Sequence, residues 1–227
     1  MRILTRTNAL SIAVLLAATS AVAVAQTVAP PEKKMGGAMD GGMMMMGPVD
    51  GKQLPPTDID RVAVGTAAPD FTLARMGVVG STTLSSFRGK KNVVLVFYRG
   101  SWCPYCIKQL AGMRSLLDAD MKKDTELLAV SVDGEADTQK TMARISADGM
   151  HADFQFLSDA DHAVIARYGI LNPNAGSRFI PHPATYVIDR DGVVRWRDIE
   201  TDYKIRPANA SIVAAVAALP KAMMMGK

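Results

Sequence analysis

The sequence predicts an α/β fold in which a central mixed β-sheet is flanked by helices. Two apolar runs and one hairpin signal carry that expectation. Residues 92–98 (NVVLVFY) and 127–132 (LLAVSV) are continuous β-branched, aliphatic and aromatic stretches, the pattern of strands buried on both faces. Residues 185–188 and 193–196 flank Asp189-Arg190-Asp191-Gly192, a turn with glycine after aspartate that reads as a hairpin. Helical spacing fills the gaps between strands, so helix-linked strands meet an antiparallel pair in one sheet.

Taken in order, residues 1–25 read as a secretory signal peptide. Arg2 and Arg6 supply the positive start, residues 9–18 the apolar stretch, and Ala23-Val24-Ala25 the small residues before a mature start near Gln26. The apolar run is shorter than the roughly 20 residues of a membrane helix. A periplasmic or secreted chain with no stable membrane insertion after cleavage is therefore expected. Residues 26–57 form a flexible Met/Gly/Pro-rich linker without apolar periodicity. Residues 58–220 form the folded domain, and residues 221–227 a Met-rich tail.

Within the domain a helix starts at Cys103, with Cys103, Ile107, Leu110, Met113 and Leu117 at helical spacing. Residues 136–147 read as a helix and residues 163–168 as a short one closed by Gly169. Residues 208–219 form a closing amphipathic helix. The 26 Lys and Arg against 22 Asp and Glu, without a basic cluster, exclude a nucleic-acid footprint. Two cysteines and three histidines do not furnish a closed four-ligand zinc site. Six of the fifteen methionines fall between Met35 and Met46. Thioether sulfur is a soft ligand suited to Cu(I), so the Met-rich ends are candidate copper ligands beside the plain reading of flexible tails.

The chemistry concentrates at Cys103-Pro104-Tyr105-Cys106, where a buried strand ends and a helix begins. Residues three apart on a first helical turn face the same side. Free backbone N–H groups and the positive helix end stabilise a thiolate at Cys103. Proline suits the first helical position, where its missing N–H is not needed. Cys106, one turn in, is expected to be the more buried of the two, leaving Cys103 as the exposed attacking thiolate.

Residues 94–110 (VLVFYRGSWCPYCIKQL) resemble the thioredoxin superfamily, and within it the peroxiredoxin-like branch of the AhpC/TSA type. Residues 84–90, 131–133 and 183–189 (PATYVID) continue the likeness, which covers residues 62–219. The resemblance implies a thioredoxin-like fold, a cis Pro183 facing the cysteines, His182 beside them, and Trp102 packed to shield their disulfide. It also exposes departures. Counted from Phe97-Tyr98, the peroxide-attacking cysteine of a peroxiredoxin falls on Cys106, its threonine on Cys103, and its later-strand arginine on Pro183. The polarising threonine and arginine are thus missing from their places, and Arg99 or Arg178 stands as a substitute cation.

Three chemistries remain open. One is dithiol–disulfide exchange, in which Cys103 attacks and Cys106 resolves, served by an external dithiol electron donor. Another is a thiol peroxidase acting on hydroperoxides, an antioxidant role that ends in the same cysteine pair. The third is a Cu(I) carrier, as in secreted thioredoxin-fold copper-delivery proteins of the Sco type, with Cys103, Cys106 and His182 as ligands. The first two need no cofactor and take protein or small-molecule disulfides, or peroxides, as partners.

Overall fold

The computed structural model describes residues 57–220. The signal peptide, the linker up to residue 56 and the Met-rich tail lie outside the described residues. Thr57, assigned to the linker from sequence, donates from Oγ1 to the carbonyl of Leu171, so this residue packs on the domain.

The chain enters through two short edge strands, β1 (Thr72–Arg75) and β2 (Ser81–Thr83). A 3-10 turn at Leu84–Phe87 then leads to β3 (Asn92–Phe97), buried at every position. Helix α1 (Pro104–Met113) follows and stops short of Leu117. At its end Arg114 turns away to hold Asp148 through two N–H···O contacts of 2.5 and 2.7 Å. Asp118 then starts α2 (Ala119–Asp124) by accepting from the Asp120 and Met121 amides at 2.9 and 2.8 Å. Strand β4 (Thr125–Ser131), helix α3 (Glu135–Ile145), strand β5 (Gln155–Ser158) and helix α4 (Ala163–Arg167) alternate next. Asp159 caps α4 through the amides of Val164 and Ile165 at 3.1 and 2.8 Å. The hairpin of β6 (Ala184–Ile188) and β7 (Val194–Ile199) leads to α5 (Asn209–Ala217). Asp189 holds the hairpin turn by accepting from the Asp191 and Val193 amides, both at 2.9 Å.

These strands form one seven-stranded sheet in the order β2-β1-β5-β4-β3-β6-β7. The centre, β5-β4-β3, is parallel; β1, β6 and β7 join it antiparallel. The sheet is mixed and flanked by helices, as the apolar runs imply. The continuous apolar run of β3 serves two cores. Val93, Leu95 and Phe97 pack on one face with Tyr168, Tyr186 and α4. Val94, Val96 and Tyr98 pack on the other with Cys103, Cys106, Leu110, Ile145, Ile212 and Val216. Period-two alternation in a strand buried on both faces produces this division. Both cysteines therefore belong to the face that carries α1, α3 and α5.

Gly169 fastens the entry of the domain. Its φ is +76°, and its carbonyl accepts from the Asp58 amide at 2.9 Å. A Cβ added there would lie 2.0 Å from the Asp58 carbonyl oxygen. Gly169→Ala is therefore expected to destabilise the fold by about 1–3 kcal/mol from the positive φ alone, seen as a lower urea midpoint. An unchanged midpoint would show that the Asp58 segment does not pack there.

Candidate active site

Strand β3 hands the chain to α1 through residues 98–102. Gly100 makes that passage with φ +139°. A Cβ at Gly100 would lie 2.7 Å from Trp102 Nε1 and 3.0 Å from Asp133 Oδ1. Only glycine lets the backbone pass beneath both groups. The Ser101 amide donates to Asp133 Oδ2 at 2.7 Å, which fixes the loop to the end of β4. Cys103 then occupies the N-cap of α1 and Pro104 the first turn. The amides of Cys106 and Ile107 both donate to the Cys103 carbonyl at 3.1 Å.

Both cysteines are free thiols, and both are buried, Cys103 at 1 % exposure and Cys106 at 0 %. Cys103 is thus not the exposed thiol expected from its place at the helix start. It belongs to the apolar cluster of its sheet face, and its sulfur is reached past the side chains around it. Its charge state does follow expectation. The hydrogen bond from Cys106 is the main cause that pulls its pKa from 9.0 to about 5, against the opposing effect of burial. The Cys106 amide, Arg206 and Arg99 add to the lowering. Cys106 moves the other way: its bond to Cys103, then burial, pushes its thiol well above the ordinary range. The two thiols are thus driven apart, Cys103 toward the thiolate and Cys106 toward the protonated form.

The cation against the pair is Arg206, which the sequence does not single out. Its Nη2 donates to Cys106 Sγ at 3.0 Å, and its Nε donates to Gln109 Oε1 at 2.8 Å. Gln109, one turn beyond Cys106 on α1, donates from Nε2 to Thr185 Oγ1 on β6 at 3.4 Å. The Arg99 amide also donates to Cys106 Sγ, at 3.4 Å. Arg206 lies 100 residues from Cys106 in the chain and sits in no motif. Arg99 and Arg178, the expected substitute cations, instead stack on Trp102, with guanidinium carbons 4.9 and 4.6 Å from its ring centre. Trp102 is 44 % exposed, held by these contacts at the rim rather than packed down as a shield. Each such stack is worth about 0.5–1 kcal/mol at an exposed site.

Pro183 and His182 are both buried. No cis peptide bond occurs among the described residues, so Pro183 is trans, contrary to what the resemblance implies. The extended chain runs straight into β6. The Pro183 carbonyl accepts from the Glu200 amide at 2.9 Å, and a missing N–H is tolerated at a strand's start. His182 donates its backbone amide to Ile170 at 2.7 Å. Burial, with Arg99 close by, holds its imidazole below the usual histidine range, so it is neutral at neutral pH. Its Nδ1 has no partner among the described residues. No group of three or more His, Cys, Asp or Glu is placed to hold a metal ion among the described residues. The Met-rich segments proposed for Cu(I) lie outside the described residues.

The model of the AhpC/TSA family matches residues 64–197. Alkyl hydroperoxide reductase E of Mycobacterium tuberculosis is 35 % identical over 145 residues, 63 % of this chain and 89 % of that protein. Thiol-disulfide oxidoreductase ResA of Geobacillus thermodenitrificans is 32 % identical over 139 residues, 61 % of this chain and 71 % of that one. The solved structure of peroxidoxin BcpB from Mycobacterium tuberculosis superposes with a TM-score of 0.57 at 25 % identity, covering 70 % of this chain and 98 % of that chain.

The asymmetric pair has a pH signature. Between about pH 5 and 9 the folded dithiol form lacks a proton on Cys103 that the unfolded chain still holds. The unfolded state then binds more protons, so stability rises with pH across that window and is lost as pH falls through about 5. Relative to Cys103→Ser, the melting temperature of the reduced protein is expected to climb over this range, and ultraviolet thiolate absorbance to titrate near its lower end. A thiolate midpoint at the ordinary thiol value would remove the charge from Cys103.

Proposed function

The chain belongs to the AhpC/TSA family, and on that premise we propose that it is an exported dithiol–disulfide oxidoreductase working through Cys103 and Cys106. It is a thiol-dependent oxidoreductase with relatives of both the peroxidase and the disulfide-exchange kinds. The observation that favours exchange is position: Cys103 is the N-cap of α1 with Pro104 in the first turn, where backbone N–H groups and the positive helix end favour its thiolate. The position that matches a peroxide-attacking cysteine is Cys106, inside the helix, where its bond to Cys103 and burial raise the thiol.

In the proposed cycle the Cys103 thiolate attacks one sulfur of a substrate disulfide. A new S–S bond forms, the old one breaks, and its second sulfur leaves as a thiolate. Cys106 then loses its proton and attacks Cys103, releasing the substrate's first sulfur as a thiol and closing the Cys103–Cys106 disulfide. Two electrons have passed to the substrate, and an external dithiol returns them. Arg206 supports the second step, because it offers a guanidinium N–H to the sulfur that must become an anion. Consuming the Cys103 thiolate also removes the charge that opposes ionisation of Cys106.

A second reading, thiol peroxidase, rests on Arg206 and the Arg99 amide. Together they give Cys106 two donors where threonine and arginine are missing from their usual places. In that cycle a thiolate takes the terminal peroxide oxygen, alcohol or water leaves, and the sulfenic acid condenses with the other cysteine, releasing water. Removing one donor of this kind slows such a step by about 10²–10³.

Export follows from the expected leader, and amino-terminal sequencing of the protein secreted by an expressing host should begin at Gln26; an intact Met1 would refute it. For the chemistry, the reduced protein is offered a protein disulfide and hydrogen peroxide in parallel stopped-flow runs. Cys103→Ser is expected to abolish disulfide reduction, while Cys106→Ser accumulates a mixed disulfide with the substrate. Faster reaction with peroxide than with the disulfide, lost in Cys106→Ser, would replace the exchange reading with the peroxidase one.

A further inference from the structure

The rim of the site carries charges that the exchange steps do not use. Arg178 stacks on Trp102, Trp102 on Arg99, and Arg99 on Tyr203, the last with its guanidinium carbon 4.4 Å from the ring centre. Tyr203 then meets Tyr105 edge-on, with ring centres 5.9 Å apart. Trp102, Tyr105 and Tyr203 are all exposed. The row thus alternates cation and ring along the surface beside Cys103 and Cys106. A guanidinium stacked on a ring keeps its N–H edge available for a planar anion.

No carboxylate pairs with Arg99 or Arg178 among the described residues. Arg99 Nε is buried without an acceptor. Lys204 and Arg206 add positive charge on the loop after β7. The acids on that loop are Glu200 and Asp202, and Asp202 Oδ1 is occupied by the Lys204 amide at 2.9 Å. Asp198, at the end of β7, has its carboxyl held above the ordinary range, mainly by burial. His182, within the field of Arg99, is held below the usual histidine range. Arg99 and Arg178 thus stand at the rim without a carboxylate partner among the described residues.

Resting on the exchange reading, we infer that this site selects disulfides bearing carboxylates close to the S–S bond. The guanidinium edges of Arg99 and Arg178 receive the carboxylates, and the exposed faces of Trp102 and Tyr203 receive the connecting stem. The same cations favour the thiolate that leaves when Cys103 attacks. The bond changes are those of the exchange cycle and call for no further reactant.

Three small disulfides of similar size test this: dithiodipropionate (anionic), hydroxyethyl disulfide (neutral) and cystamine (cationic). The reduced protein is expected to react with the anion at least about tenfold faster than with the neutral compound, and slowest with the cation. The advantage should shrink as salt is added. In Arg178→Gln the anion-to-neutral rate ratio should fall several-fold, whereas Arg178→Lys should keep most of it. A glutamate-flanked peptide disulfide, compared with its lysine-flanked counterpart, extends the series to chain segments. Preference for the glutamate form assigns the chemistry to acidic segments as well, and its absence confines it to small acids. Equal rates across the small-molecule series, or a ratio indifferent to both salt and Arg178→Gln, would overturn the inference while leaving exchange intact. No reaction with any disulfide would instead remove the exchange reading itself.

Discussion

A hydrogen bond between two buried sulfurs governs this site. Burial alone raises the pKa of a thiol, and both cysteines are almost entirely removed from solvent. The bond between them breaks that symmetry: Cys106 donates, Cys103 accepts, and the sulfur at the helix N-terminus is driven toward the thiolate. Everything around the pair serves to keep it in place. Gly100 lets the loop pass, Asp133 anchors it, and Pro104 opens the helix without displacing a needed donor.

Arg206 ties that pair to the far side of the domain. Through Gln109 it links Cys106 on α1 to Thr185 on β6. The arginine arrives from the loop before α5 instead of from the start of β6, where trans Pro183 runs straight into the strand.

The cationic rim and the buried pair are complementary. A nucleophile at 1 % exposure needs a partner that is held while its sulfur is brought into line. In the proposed exchange, the stacked arginines and rings are the anchoring surface beside the sulfurs, and their positive field favours the departing thiolate.

By itself the sequence determined the central strands, the helices around them and the redox pair. Those features are local: an apolar run in residues 92–98, helical spacing from Cys103, and two cysteines three apart at a strand–helix junction. Short elements left no such mark. Strands β1, β2 and β5 have three or four residues, too few for a period to show, and they form by pairing in turn, β5 on β4, β1 on β5 and β2 on β1. Helix α1 ends before its apolar spacing does, at the residue whose side chain pairs with Asp148. The burial of Cys103, the trans Pro183 and the approach of Arg206 were decided only in three dimensions. Each depends on residues about 80 to 100 positions apart meeting across the sheet, and no local pattern encodes which arginine of a late loop will reach a sulfur at the start of α1.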